Sequence, residues 1–131
     1  MVKYYFCSVC GNLVEKIEDG GNTPACCGRQ MIELRPASTD GALEKHVPFV
    51  TIHEYCEDVK RVNISVGKTL HPHDPSHHIK WIELITNKGV YRRELPVSCE
   101  PSVNIYIHKN EQVKYASAYC NLHGLFNNLE T

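Results

Sequence analysis

Arg61-Val62-Asn63-Ile64-Ser65-Val66 carries an apolar residue at every second position, so Val62, Ile64 and Val66 fall on one face. That alternation belongs to a strand with one face in a core and one in solvent. Stretches rich in β-formers flank it, at residues 47–53, 80–86, 90–95, 103–107 and 113–119. Asn87-Lys88-Gly89 reads as a hairpin turn between two of them. Strands at such regular spacing, without long helical patterns, predict an all-β fold, an antiparallel sandwich. A single helical turn is expected over residues 42–45, stopped by Val47-Pro48 because proline restricts the residue before it. Trp81, with Ile82 and Leu84, is expected to be buried.

Composition is that of an ordinary globular chain. The 131 residues are 42% apolar and 22% charged, close to globular averages, which excludes a disordered protein. A net charge of −1 offers no electrostatic footprint for nucleic acid or an anionic membrane. Neither a membrane span nor a signal-peptide core is found, so a cytoplasmic protein is expected. The unusual feature is seven cysteines and eight histidines. The cysteine number is odd and four of them precede residue 28, a pattern that indicates metal binding in a reducing compartment. Disulfides are the alternative.

Residues 1–36 form the first predicted module. Cys7-Ser8-Val9-Cys10 is followed, after fifteen intervening residues, by Cys26-Cys27. A short strand over residues 12–17 and a glycine-containing turn over residues 18–22 lie between the two pairs. A unit of this size needs a metal or disulfide staple to fold. Four thiolates on one tetrahedral ion supply it, and the spacing alone admits zinc or iron. Zinc ribbons usually offer two Cys-x-x-Cys hooks. The adjacent pair Cys26-Cys27 instead resembles desulforedoxin, a small iron protein, with a zinc knuckle as the alternative. Pro36-Ala37-Ser38-Thr39-Asp40-Gly41 reads as a linker, and residues 37–131 as the second domain.

The second domain concentrates the remaining metal-binding residues. His46, His71, His77, Cys120 and His123 all lie at predicted strand ends or in loops, where a sandwich can gather them at one pole. Structural zinc closes its shell with four ligands. Four imidazoles and one thiolate make five, which leaves one octahedral position open on a redox metal such as iron. A ferrous ion with one thiolate keeps a net charge of +1 and attracts a small anion. Lys45, beside His46, adds to that field.

Glu44-Lys45-His46-Val47-Pro48, His71-Pro72, His77 with Trp81-Ile82-Glu83-Leu84, and Cys120-Asn121-Leu122-His123-Gly124 together resemble the superoxide reductases. With the four-cysteine module added, nearly the whole chain is similar to desulfoferrodoxin, the two-iron form of that family. The resemblance implies an immunoglobulin-like sandwich with His46, His71, His77 and His123 in one plane around an iron, and Cys120 axial. It implies a second iron on Cys7, Cys10, Cys26 and Cys27. It also implies a homodimer, one-electron reduction of superoxide to hydrogen peroxide, and electrons from a donor such as rubredoxin. By the same resemblance Lys45 assists substrate entry and protonation, and Glu44 closes over the ferric iron. An axial thiolate would push charge towards the open position, as thiolate ligation does in haem iron.

His73 and His78 exceed the ligand count and are read as non-ligands. His53 and His108 read as ordinary strand or turn residues, and Cys56 and Cys99 as isolated, partly buried thiols, with a disulfide between them as the alternative. Two other functional classes compete: an electron carrier in which both irons only shuttle electrons, and a structural zinc protein that binds a partner. The open sixth position favours the enzyme, since a carrier has no use for it.

Overall fold

The computed structural model of the protein describes residues 1–37, 46–67 and 73–129. The chain divides into two compact units, Met1–Arg35 and Pro36–Thr131. The predicted helical turn at 42–45 lies outside the described residues. No helix among the described residues is long and apolar enough to cross a membrane.

In the first unit, β1 (Lys3–Phe6) pairs antiparallel with β2 (Leu13–Lys16) and with β5 (Ile32–Leu34). Its interior is small: Tyr5, Cys7 and Met31 are buried together, with Cys26 packed against them. Between β2 and β5 sits a minimal hairpin, β3 (Ala25–Cys26) and β4 (Arg29–Gln30). Its two-residue turn is Cys27-Gly28, both with positive φ, 53° and 75°. A type I′ turn requires that at both central positions, because its twist matches that of the flanking strands. Glycine adopts it without strain; the cysteine does not, at a cost of about 1 kcal/mol or more.

The second unit is the predicted sandwich. One sheet has the order β10-β7-β6, built from β6 (Pro48–Cys56), β7 (Val59–Val66) and β10 (Ser102–His108). The other has the order β12-β11-β8-β9, from β8 (Ile79–Thr86), β9 (Val90–Glu94), β11 (Val113–Cys120) and β12 (Gly124–Asn127). Every pairing is antiparallel, and the chain changes sheet after β7, β9 and β10. The alternating residues Val62, Ile64 and Val66 point inward, as expected, and meet Ile82, Leu84, Ala116, Ala118 and Phe126 of the opposite sheet. Asn87-Lys88-Gly89 closes the β8–β9 hairpin, with Thr86 N donating to Gly89 O at 2.9 Å. Trp81 is buried as predicted and stacks on Tyr119, ring centroids 5.4 Å apart.

β12 was not anticipated, because the Cys-x-x-His motif ahead of it masks a four-residue strand. Ala37, placed in the linker from sequence, packs against the sandwich core and donates its N–H to Leu125 O at 2.9 Å. The first residues of that linker are therefore held by β12; residues 38–41 lie outside the described residues.

Topology brings one end of the sandwich together. β8 runs antiparallel to β11, so Ile79 at the start of one faces Cys120 at the end of the other. His77 and His78 precede β8, and His123 lies in the turn from β11 to β12. His46 stands two residues before β6 in the opposite sheet and stacks on Phe126 of β12, centroids 4.5 Å apart.

Candidate metal centres

Two groups of potential ligands occur among the described residues, one in each unit. The first consists of Cys7, Cys10, Cys26 and Cys27, with all four sulfurs within 4.8 Å of one another. The Cys-x-x-Cys segment is a knuckle: Gly11 N donates to Cys7 O and Cys7 N to Asn12 O, both at 2.9 Å. Gly11, with φ 82°, lets the chain turn back so that buried Cys7 and exposed Cys10 share one cluster of sulfurs. The second pair solves the problem of adjacency through the hairpin. Cys26 is the last residue of β3, whereas Cys27 takes the left-handed turn position, and the two side chains splay.

The sulfur spacings fit a tetrahedral ion. At a metal–sulfur distance of about 2.3 Å, tetrahedral sulfurs lie roughly 3.8 Å apart. Cys10 Sγ is 3.6 Å from Cys26 Sγ, which is 3.9 Å from Cys27 Sγ. None of these is a disulfide, and all seven cysteines of the chain are free thiols. The proton equilibria lead to the same conclusion. Backbone N–H groups of Cys10 and Val9 lower the Cys7 thiol to about 6. Cys27, hydrogen-bonded first of all to Cys10, is pushed up to about 12, and Cys26 is raised by Cys10 and Cys7. One thiolate forms readily here, but four can coexist only around a cation. Asn12 Nδ2 also donates to Cys26 Sγ at 3.5 Å, a contact the sequence did not reveal.

The second group is His46, His77, Cys120 and His123, whose ligand atoms again lie within 4.8 Å of one another. His123 Nδ1 is 3.0 Å from His46 Nε2 and 3.7 Å from Cys120 Sγ. Two imidazole nitrogens about 2.1 Å from one ion and at right angles would be roughly 3.0 Å apart. The rings of His46, His77 and His123 meet pairwise at centroid distances of 4.7 to 5.8 Å, so three imidazoles and one thiol converge on a single point. His46 and Cys120 are buried, His77 is half-buried and His123 is exposed, which opens the group to solvent on one side. Burial raises the Cys120 thiol, opposed by the N–H groups of Leu122 and His123 that point at its sulfur. Those donors favour the thiolate that a metal would stabilise.

Four of the five sequence-predicted sandwich ligands therefore converge; the fifth, His71, lies outside the described residues, as do Glu44 and Lys45. His73, His53 and His108 are exposed and outside the group, and His108 Nδ1 only accepts from Asn110 N at 3.1 Å. His78 also stays outside, its Nδ1 turned to Asp74 O at 3.1 Å. Cys56 and Cys99, expected to be partly buried, are instead exposed, because Cys56 ends the solvent-facing stretch of β6 and Cys99 lies in a turn closed by its N–H on Pro96 O; both are free and outside the two groups. Sequence reasoning missed Asn121 and Asp74, which organise the loops that carry the ligands through hydrogen bonds to backbone atoms of Ser76, His77 and His78. Their signal was position alone, next to Cys120 and within the segment before His77.

Residues 38–129 match the desulfoferrodoxin family, and residues 2–34 match the desulfoferrodoxin N-terminal domain. A desulfoferrodoxin homologue of Archaeoglobus fulgidus is 36% identical over 126 residues, covering 96% of this chain and 95% of its own length. A superoxide reductase of Thermococcus kodakarensis is 35% identical, covering 75% of this chain and 96% of its own. The crystal structure of the superoxide reductase from Treponema pallidum superposes with a TM-score of 0.78, at 29% identity and 98% coverage of both chains. The two donor sets fit two irons, one held by four cysteines and the other by the histidine–cysteine group. In both halves of its sequence and in both of its ligand sets, the chain belongs to the desulfoferrodoxin family.

Proposed function

We propose that the protein is a superoxide reductase: superoxide takes up one electron and two protons and leaves as hydrogen peroxide. The single observation that carries this reading is the convergence of His46, His77, Cys120 and His123 at the solvent-facing end of a sandwich. When bound there, iron supplies a one-electron couple and a positive centre for a small anion. The side chains shape that chemistry. Cys120 contributes the one negative charge, so a ferrous centre with neutral imidazoles keeps a net +1 that draws an anion inward. His46, held flat against Phe126, keeps bulk water from the inner side of the group, while exposed His123 leaves the outer side accessible.

The remaining assignments extend the same proposal. His71 supplies the fourth imidazole, because the reading of five ligands leaves one place for substrate. Lys45 lies beside ligand His46 in sequence, and its ammonium adds positive potential and orients a water for proton delivery. Glu44 offers a hard carboxylate oxygen suited to the ferric state after product has left. Cys7, Cys10, Cys26 and Cys27 hold the second iron, and residues 1–36 and 37–131 are the corresponding domains. The enzyme works in the cytoplasm as a homodimer and draws electrons from a donor such as rubredoxin.

Stoichiometry tests the activity. Under a steady flux of superoxide, the donor should lose one electron, and one peroxide should form, for each superoxide consumed. Sustained oxygen release without any donor would identify a dismutase instead, and no consumption at all would leave an electron carrier. Lys45→Ala should slow the bimolecular encounter by roughly tenfold, the lower end of electrostatic steering, and flatten its dependence on ionic strength. Glu44→Ala should leave that rate nearly intact and alter the ferric visible spectrum. An unchanged rate and salt slope in Lys45→Ala would mean that the positive field resides in the iron alone.

A further inference from the structure

We propose that Asn121 is a positioning residue that sets His77 in register with Cys120 and His123. The segment before β8 is a tight turn, Asp74-Pro75-Ser76-His77. Asp74 N donates to His77 O and His77 N to Asp74 O, each at 3.1 Å. Asp74 Oδ1 accepts from Ser76 N at 2.9 Å, Ser76 Oγ at 2.5 Å and His77 N at 3.0 Å. These bonds hold the Asp74 carboxyl below its ordinary range, first through the Ser76 hydroxyl. They fix the shape of the turn, yet every one of them is internal to it. By themselves they leave His77 unplaced relative to the other ligands.

Asn121 provides that placement. It directly follows Cys120, and its side-chain amide reaches the peptide groups on both sides of His77. Its Oδ1 accepts from His78 N at 2.9 Å, and its Nδ2 donates to Ser76 O at 3.1 Å. A third bond, Asn121 N to His78 O at 3.1 Å, continues the β11–β8 pairing past its last ladder residues, Cys120 and Ile79. The amide orientation is fixed by chemistry, because one neighbour can only donate and the other can only accept. Aspartate would keep the first bond and set a carboxylate against the Ser76 carbonyl; alanine would remove both side-chain bonds. Few side chains satisfy a donor and an acceptor across this distance.

The inference rests on the metal-centre reading of the four-residue group. Outer-sphere partners of metal ligands are worth roughly 10–100-fold in metal affinity. The experiment titrates full-length metal-free protein with cobalt(II), whose thiolate complexes are coloured. It compares wild type, Asn121→Ala, Asn121→Asp, His77→Ala and the His77→Ala/Asn121→Ala double variant. Wild type should bind one cobalt in each unit; failure at the sandwich would refute the metal-centre reading rather than the role of Asn121. In Asn121→Ala the sandwich affinity should fall 10–100-fold, with a smaller fall in Asn121→Asp, while the four-cysteine site is unchanged. In the His77→Ala background Asn121→Ala should add little, because its effect passes through His77. An equal loss in both backgrounds, or none in either, overturns the proposal. If His77→Ala binds too weakly to titrate, amide exchange in metal-free protein decides. Asn121→Ala should then loosen the His77 amide while Leu84 and Ala116 stay protected, and a His77 amide as protected as in wild type would overturn it.

Discussion

Replacing Cys120 with serine is expected to abolish superoxide reduction and release the sandwich iron, while the four-cysteine iron stays in place. Cys120 is fully buried, at the end of β11, and contributes the sole thiolate of its group. Serine is almost isosteric, but its hydroxyl stays protonated at neutral pH and cannot supply the negative charge. The N–H groups of Leu122 and His123 that support the thiolate would then face a neutral oxygen. The loss in iron affinity should exceed the roughly 10–100-fold that removal of an outer-sphere partner costs. Folding of the sandwich should survive, at a cost on the order of 1–3 kcal/mol for placing a hydroxyl in the core. Iron analysis should fall from two to one per chain, and the colour of the four-cysteine centre should persist. Retained superoxide reduction with one iron per chain would move the reaction to the other centre.

Replacing Cys10 with serine should have the opposite distribution of effects. The first unit buries little besides Tyr4, Tyr5, Cys7 and Met31. An interior of that size does not offset the chain entropy of some thirty-five residues without a staple. By the measure of zinc-finger peptides, metal binding supplies on the order of 10 kcal/mol to such modules. Cys10→Ser should therefore remove the N-terminal iron and unfold β1, β2 and β5, so that amides such as Tyr5 exchange as in an open chain. The histidine–cysteine centre should keep its spectrum, because the ligand sets share no residue. Loss of both irons together would show that the two centres depend on each other.

The sandwich was legible because its strands obey a period of two. Val62, Ile64 and Val66 announce an inward face, and all three are fully buried. The short elements were less visible. β3 and β4 have two residues each, too few for any period, and their hairpin is defined by the positive φ at Cys27, which no pattern of residue types discloses. At the sites, the residues that converge could be read from residue type and spacing, since thiols and imidazoles at strand ends have few other uses together. The second layer could not. Asp74 closes its own turn on Ser76 and His77, and Asn121 acts on backbone atoms more than forty residues away, which come within its reach only once β8 and β11 are paired.

The most direct measurement is a single turnover of the fully reduced protein with less than one equivalent of superoxide per chain. The two ferric-thiolate centres are followed separately by their visible bands, with peroxide quantified at the end. The histidine–cysteine centre should oxidise at the rate at which superoxide disappears, giving one peroxide per superoxide, with the same bimolecular rate in Cys10→Ser. Superoxide loss that instead tracks the four-cysteine centre, and that vanishes in Cys10→Ser, would contradict the assignment of the reaction to His46, His77, Cys120 and His123.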